Sequence, residues 1–274
     1  MRELDDSRQE YIASGNCPAL PNIAAGIELR EMISGMQGAI GVSSGTATFH
    51  PNSELPYHLH NFSEAITVLD GEADVLVEGR WYRLKKLDAM HFPSGIAHSV
   101  SNPTQDRLLV HWAFATESPR RELVPNRFPR EDRRSTTVSQ GPEHGVRFAD
   151  AETYELAEGA QFTDLFGQRF GAIGICGGYG RFAPGASLPC HIHACDESIT
   201  IVTGKAVCEV MGRRWHLSDC DTAFVPKGRP HRFLNETAEP MAMIWVYASG
   251  EPERTILDAG YCTGRLSWFK GGNA

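Results

Sequence analysis

Pro56-Tyr57-His58-Leu59-His60-Asn61-Phe62-Ser63-Glu64 is the stretch from which the rest of this 274-residue chain can be read. Residues two apart on a β-strand face the same side, so the imidazoles of His58 and His60 project together. Glu64 keeps their parity. Downstream, Pro93-Ser-Gly-Ile-Ala-His98-Ser-Val-Ser-Asn102 adds a third imidazole behind a Pro/Gly turn. Three imidazole nitrogens and one carboxylate oxygen suit a divalent first-row metal.

The set recurs at an offset of 133 residues: His58 becomes His191, His60 becomes His193, Glu64 becomes Glu197 and His98 becomes His231. Gly71 maps onto Gly204 and Asn102 onto Asn235 in the same register. These residues resemble the two motifs of the cupin superfamily, His-x-His-x3-Glu-x6-Gly and Pro-x-Gly-x2-His-x3-Asn, present in both halves. The resemblance implies a bicupin: two tandem jelly-roll β-barrels, each with a metal site. There are departures. A glycine often found six residues before the first His is Asn52 in one half and Gly185 in the other. Asn tolerates left-handed backbone, so that turn is expected to survive. The glycine expected before the second motif is Leu87 and Cys220, each followed by an aspartate. A modified turn is expected there, not a lost strand.

The ungapped repeat runs from Gly38 against Gly171 to Phe128 against Tyr261. A unit of this length is a duplicated domain. Short runs such as Ala65–Leu69, Ala73–Val77, Trp81–Leu84 and Arg107–Phe114 are cut by Gly, Pro, Asn and Asp, and no segment keeps helical periodicity. The expected fold is all-β. The expected divisions are an irregular arm over 1–25, a barrel over 26–128, a linker over 129–157, a second barrel over 158–261 and a tail over 262–274. The linker carries the basic run Arg130-Glu-Asp-Arg-Arg134, which reads as a solvated loop.

Net charge is -8 with a pI near 5.8. That argues against nucleic acid as a partner, since phosphate binding needs a basic surface. The longest apolar run, Met241–Ala248, has the length of a buried strand and is too short to span a membrane. The first residues lack the apolar core of a signal peptide. Seven cysteines without Cys-x-x-Cys argue against a disulfide framework and fit a reducing cytoplasm. Cys190 and Cys195, flanking the second His-x-His, read as small buried hydrophobes. Expected partners are a small-molecule substrate and, compatibly, further copies of the chain.

A four-ligand site leaves two positions of an octahedron open for water, dioxygen or substrate. Fe, Mn, Ni, Co, Cu and Zn all fit the donor set. Candidate catalytic groups beyond the ligands are His91, Tyr57 and Arg181. His91, with His50 and His111, occurs only in the first half. Tyr57, Phe62 and Trp81 make the first mouth aromatic. Arg181, Lys227, Arg229 and Arg232 make the second more positive, and Arg181 reads equally well as a carboxylate anchor or as an outward strand residue. Arg121 and Arg254 recur at matched positions, which fits a repeated packing or ion-pair role. By parity Ile66, Val68 and Val100 line the first interior, and Ile199, Ile201 and Phe233 the second.

Two bicupin enzymes carry metal in similar halves: oxalate decarboxylase and bacterial quercetin dioxygenase. The decarboxylase has an arginine three residues before the first metal His. Leu55 and Leu188 stand there in this chain, which counts against oxalate. The leading expectation is an oxygenase acting on a small enolic, phenolic or keto-acid compound. The alternative is a redox-neutral isomerase or lyase of a sugar or keto acid. A third reading is a non-enzymatic small-molecule-binding cupin.

Overall fold

The computed structural model describes residues 8–125, 128, 134–135, 141–251 and 253–268. Most of the basic run Arg130–Arg134 therefore lies outside the described residues. The chain is almost entirely antiparallel β-structure, as alternating patterns between Gly, Pro and Asn turns dictate. Four sheets make two barrels. In the first barrel Ala89–Phe92, Glu64–Asp70, Leu108–Phe114, Ser43–Phe49 and Ile27–Ile33 form one sheet. Glu54–Leu59, His98–Ser101, Ala73–Val77 and Arg80–Leu84 form the facing one. The second barrel repeats this order with Thr222–Val225, Glu197–Thr203, Met241–Tyr247, Cys176–Phe182 and Ala160–Phe166 opposite His191–Ile192, His231–Leu234, Lys205–Val210 and Arg213–Ser218.

Each barrel closes on its own apolar core. Phe49, Val75, Tyr82, Phe92 and Trp112 belong to the first, and Phe162, Phe182, Cys208, Phe233 and Trp245 to the second. A third cluster lies between the barrels and draws on both, with Ala65, Ala89 and Ala113 against Phe166, Phe224 and Val246. The opposite faces of the same strands supply it, so the inner sheets are buried on both sides. That is why Leu108–Phe114 and Met241–Tyr247 read as continuous apolar runs and not as alternating ones.

The repeat is longer than the sequence motifs suggest. Tyr11–Ala13 from the N-terminal arm pairs with Thr222–Phe224 of the second barrel. His144–Val146, at the same offset of 133, pairs with Ala89–His91 of the first. The two barrels thus each receive one strand from the segment that precedes the other. The ion pairs repeat with them. Glu10 meets Arg213 at 2.7 Å and Arg229 at 3.2 Å. Its counterpart Glu143 meets Arg80 at 2.7 Å and accepts from Tyr82. An arm expected to be irregular is therefore tied down by backbone pairing and a buried carboxylate.

The modified turns form as expected. Leu87 and Cys220 both have φ of +67°. Asp88 then accepts from the Lys85 amide at 3.0 Å, and Asp221 from the Ser218 amide at 3.0 Å. The carboxylates hold non-glycine residues in a left-handed conformation that costs about 1–2 kcal/mol. Asn102 and Asn235 close their loops identically: each side-chain amide donates to three backbone carbonyls.

The cysteine reading needs a correction. Cys190 and Cys262 form a disulfide across a sequence separation of 72. Cys262 lies on the short helix Ala259–Cys262, and the Leu257 amide donates to the Cys190 carbonyl at 2.8 Å, so chain return brings the two thiols together. Cys190 is buried as expected, but paired. Disulfides persist in oxidising surroundings, so cysteine usage no longer favours a reducing compartment. A loop of this length implies about 4 kcal/mol from restricting the unfolded chain. Dithiothreitol is expected to lower the melting temperature of the wild type and to leave that of Cys262→Ser unchanged.

Candidate metal centres

Register builds both centres. Antiparallel pairing sets His58 directly opposite His98, and His191 opposite His231. His60 and His193 follow at the strand ends, and Glu64 and Glu197 begin the next strand of the other sheet. The ligand atoms of His58, His60, Glu64 and His98 lie within 4.8 Å of one another, as do those of His191, His193, Glu197 and His231. All eight residues are buried.

The hydrogen bonds around the rings choose which nitrogen is free. Nδ1 of His58, His60 and His98 faces the carbonyls of Pro56, Arg120 and Ile96. In the second barrel the carbonyls are those of Pro189, Glu253 and Arg229. A carbonyl only accepts, so Nδ1 carries the proton and Nε2 points inward with its lone pair free to ligate. His60 Nε2, His98 Nε2, His193 Nε2 and Glu64 Oε2 are buried without a properly aligned hydrogen-bond partner. His98 Nε2 comes to 2.8 Å and His60 Nε2 to 3.2 Å of Glu64 Oε2. Buried polar atoms converging without partners are costly, and a divalent cation satisfies them together. Each barrel carries a divalent-metal site.

Electrostatics favour the same state at His58, His191, His193 and Glu64, but not at His60, where metal must displace the proton that Glu64 favours. Burial, then repulsion from His98, pushes His58 down to about 3. Burial also pushes His193 down to about 4 and holds His191 well below its ordinary value. Burial alone would raise Glu64, but His98 and His60 outweigh it and hold the carboxyl well below its usual range. Burial would lower His60, yet the Glu64 carboxylate raises it. Neutral imidazoles beside an ionised carboxylate are the protonation state that ligates.

The two centres differ in what surrounds them. The first opens into a small cavity of about 60 Å³. Its walls include Leu29, Ile66, Val100, Val110 and Trp112, with His58, His60 and Glu64 on one side and Arg121 on another. Ile66 and Val100 thus point inward as parity requires. At the matched positions the second barrel has Phe162 for Leu29, Phe233 for Val100, Met243 for Val110 and Tyr247 for Phe114. Ala47 is replaced by Gly180, where a Cβ would stand 2.9 Å from Phe162 Cε1, so the small residue makes room for the larger ring. Tyr247 packs on His193 with centroids 4.3 Å apart. Four larger side chains, all buried in that barrel's core, thus stand at positions that line the cavity in the first barrel.

The three candidate catalytic residues lie elsewhere. Tyr57 does not line the first cavity; it is buried elsewhere, and its hydroxyl accepts from the Gly79 amide at 3.2 Å. His91 alternates with Met90 and Phe92, which face the barrel core, and so lies in the layer between barrels. Arg181 is exposed on the outer face of Cys176–Phe182. Arg229 and Arg232 are committed to Glu10 at 3.2 Å and Glu209 at 2.6 Å. Phe62 does shape the first mouth, stacked on His60 at 5.1 Å. Arg121 and Arg254, expected to pack or to pair, have no acidic partner among the described residues. Arg121 lines the first cavity, and Arg254 lines a surface recess with Ile192, Ala194 and Glu253.

His111 also belongs to the layer between barrels, its strand neighbours Val110 and Trp112 facing the cavity. Burial pushes its pKa down to about 3. The unfolded value is about 6.5. The neutral form is the one the fold stabilises. That stability is complete above pH 6.5 and is lost, at about 1.4 kcal/mol per pH unit, as pH falls toward 3. His91, pushed down to about 4 by burial and then by His144, adds in the same sense. The second barrel has Ile244 where the first has His111. His111→Ile is expected to gain about 2 kcal/mol over wild type at pH 5, relative to any difference at pH 7.5, in denaturant melts.

Comparison with known proteins defines the class. The cupin domain family matches residues 45–114 and 178–247, together more than half of the chain. The protein is a duplicated, metal-binding jelly roll; it belongs to the cupin family, with two copies of the domain. A germin-like protein of Morus alba is 32% identical over 117 residues, which is 40% of this chain and 56% of that protein. The chain thus spans just over half of that relative's length. Oxalate decarboxylase of Bacillus subtilis, solved at pH 4.6, superposes with a TM-score of 0.71 at 17% identity, covering 90% of this chain and 78% of that one. Oxalate decarboxylase of Lactobacillus farciminis in its formate complex gives 0.74 at 17% identity, covering 90% and 88%. These likenesses establish a shared bicupin fold. The Bacillus subtilis enzyme is described as having Mn(II) centres.

Proposed function

We propose that the chain is a divalent-metal-dependent lyase that cleaves a bond of a small keto acid in its N-terminal barrel. The observation that carries this reading is the contrast between barrels: the first ligand set opens into an apolar cavity, and the second is packed over by Phe162, Phe233, Met243 and Tyr247. The structural likeness to oxalate decarboxylases supports a lyase over the oxygenase expected from the sequence. Among the described residues, the cavity wall holds no base apart from the metal ligands. Tyr57 and His91 do not line it, so an isomerase that needs a protein base to remove a carbon-bound proton is less well served.

A divalent ion held by His58, His60, Glu64 and His98 would supply Lewis acidity toward a carbonyl or carboxylate oxygen of the substrate. The chain does the rest. The carbonyls of Pro56, Arg120 and Ile96 fix the three rings and keep Nδ1 protonated. Leu29, Ile66, Val100 and Val110 shield the reacting carbon from bulk water until the bond has broken. In the step itself the breaking bond leaves its electron pair on the carbon next to the substrate carbonyl. The pair delocalises onto the carbonyl oxygen, the departing fragment leaves as an electrophile such as carbon dioxide, and a proton from water restores the carbon. Leu55, in the cavity wall, gives oxalate no cationic partner at that position.

The oxygenase reading keeps one observation in its favour, since apolar walls also protect reactive oxygen chemistry. Oxygen separates the two. Manganese- and zinc-loaded protein is to be assayed against a panel of keto acids in air and in a glove box. Equal turnover in both atmospheres is expected. Turnover that stops without dioxygen and with zinc transfers the assignment to the oxygenase.

A further inference from the structure

Arg121 stands out among the residues around the first centre. Among the described residues it is the one cation in the cavity wall, which is otherwise apolar apart from the metal ligands. No carboxylate among the described residues pairs with it. One Nη2–H donates to the Ile23 carbonyl at 2.8 Å, which fixes the guanidinium plane and leaves further N–H donors uncommitted. Among the described residues, burial alone acts on its charge and disfavours it. The backbone just before it is tied to the centre, because the Arg120 carbonyl accepts from His60 Nδ1. The segment that orients a ligand ring therefore also aims this side chain. An unpaired, part-buried guanidinium is a standing cost that an anion relieves, and its fork matches a carboxylate in both shape and charge.

We infer that Arg121 is the specificity residue of the N-terminal cavity, anchoring one carboxylate of a substrate whose remaining body is apolar. This rests on the reading of that cavity as the substrate site. The anchored carboxylate is one that stays with the product. An arginine gripping a departing carboxylate would stabilise the ground state more than the transition state and would slow the reaction. The rest of the molecule lies against Leu29, Phe49, Ile66 and Val110, which offer no hydrogen bonds. A sugar or a polyol, with many hydroxyls to satisfy, does not fit such walls. In the second barrel Arg254 lies over the Phe162 ring, 6.0 Å from its centroid, where the matched residue in the first barrel is Leu29. The same arginine there meets a filled space.

The test is a binding measurement on the intact, metal-loaded chain, with 3-methylbutanoate and its neutral amide as probes. Calorimetry gives the ratio of their affinities for wild type, Arg121→Gln, Arg121→Lys and Arg254→Gln, with metal content measured on each. Arg121→Gln retains a donor for the Ile23 carbonyl, so it removes charge with little disturbance of the turn. Its preference for the carboxylate is expected to fall roughly 30-fold, in the range of one charge-assisted pair. Arg121→Lys recovers much of that preference, and Arg254→Gln leaves it unchanged, all with two metals per chain. A fall of less than threefold in Arg121→Gln overturns the inference, because the metal alone then holds the carboxylate. So does a fall in Arg254→Gln in its place. An oxygen requirement in turnover would remove the lyase reading without touching these affinities, so the two failures are distinguishable.

Discussion

Replacing His98 with alanine is expected to remove one of two bound metal ions and to cut turnover roughly a thousandfold, about 4 kcal/mol of transition-state stabilisation. Replacing His231 is expected to remove the other ion and to leave turnover within about threefold. The two residues are a matched pair. Each lies opposite the first histidine of its centre, turns Nδ1 to a carbonyl two residues back, and brings Nε2 to 2.8 Å of the centre's glutamate. The local damage is therefore the same in both variants, and any difference in outcome belongs to the surroundings. In the first barrel an apolar cavity adjoins the ion. In the second, Phe162, Phe233 and Met243 stand at the matched positions, in the barrel's buried core, so an ion held there is expected to act on the fold. A ligand present at a thousand times its dissociation constant stabilises by about 4 kcal/mol. His231→Ala should accordingly lower the melting temperature by roughly 10 °C in metal-containing buffer. Metal analysis, melting and turnover on the same preparations check all three. Loss of activity in His231→Ala with retention in His98→Ala would move the chemistry to the second barrel, entered beside Arg254.

The ligand sets were legible because period-2 alternation and antiparallel register leave few ways to arrange His-x-His, Glu and a later His. Parity also turned Ile66 and Val100 inward correctly. The same rule could not have set Tyr57 aside, because the pairing register shifts between Leu55 and His58 and alternation breaks there. The exchanged strands were not legible. Tyr11–Ala13 and His144–Val146 are three residues long, too short for a periodic signal, and their partners lie far along the chain. Glu10 and Glu143 share the offset of 133, but one matched carboxylate is no signal until its arginines are seen. Arg121 follows the last long strand in irregular backbone, where no period predicts direction. The Cys190–Cys262 pair depends on where the tail returns, which spacing does not encode. The filling of the second cavity was in the sequence all along, as Phe162, Phe233, Met243 and Tyr247 against smaller partners. Reading it required knowing which strand faces meet.

Val100→Phe, which installs in the first barrel the residue that the second has as Phe233, is expected to lower kcat/KM roughly a hundredfold while both metals remain bound. Val100 lies on the strand that carries His98, two residues on and with the same parity, so its side chain projects into the cavity beside the ligands. Adding a ring to a filled core costs about 1–3 kcal/mol through strain. Here the ring enters space that is already empty, so the cost should stay below about 1 kcal/mol, and added apolar contact can make the variant more stable than wild type. Stability and activity then move in opposite directions, as expected where a fold keeps a cavity open for use. The reciprocal change, Phe233→Val, removes ring contacts from a packed core. It should cost about 2–4 kcal/mol, in the range of large-to-small substitutions at buried sites. Thermal melts, metal content and keto-acid turnover on the two variants decide it. A Val100→Phe protein that keeps its metals and wild-type kcat/KM would mean that substrate does not enter this cavity. A Phe233→Val protein with unchanged stability would mean that the second barrel is not filled by that ring.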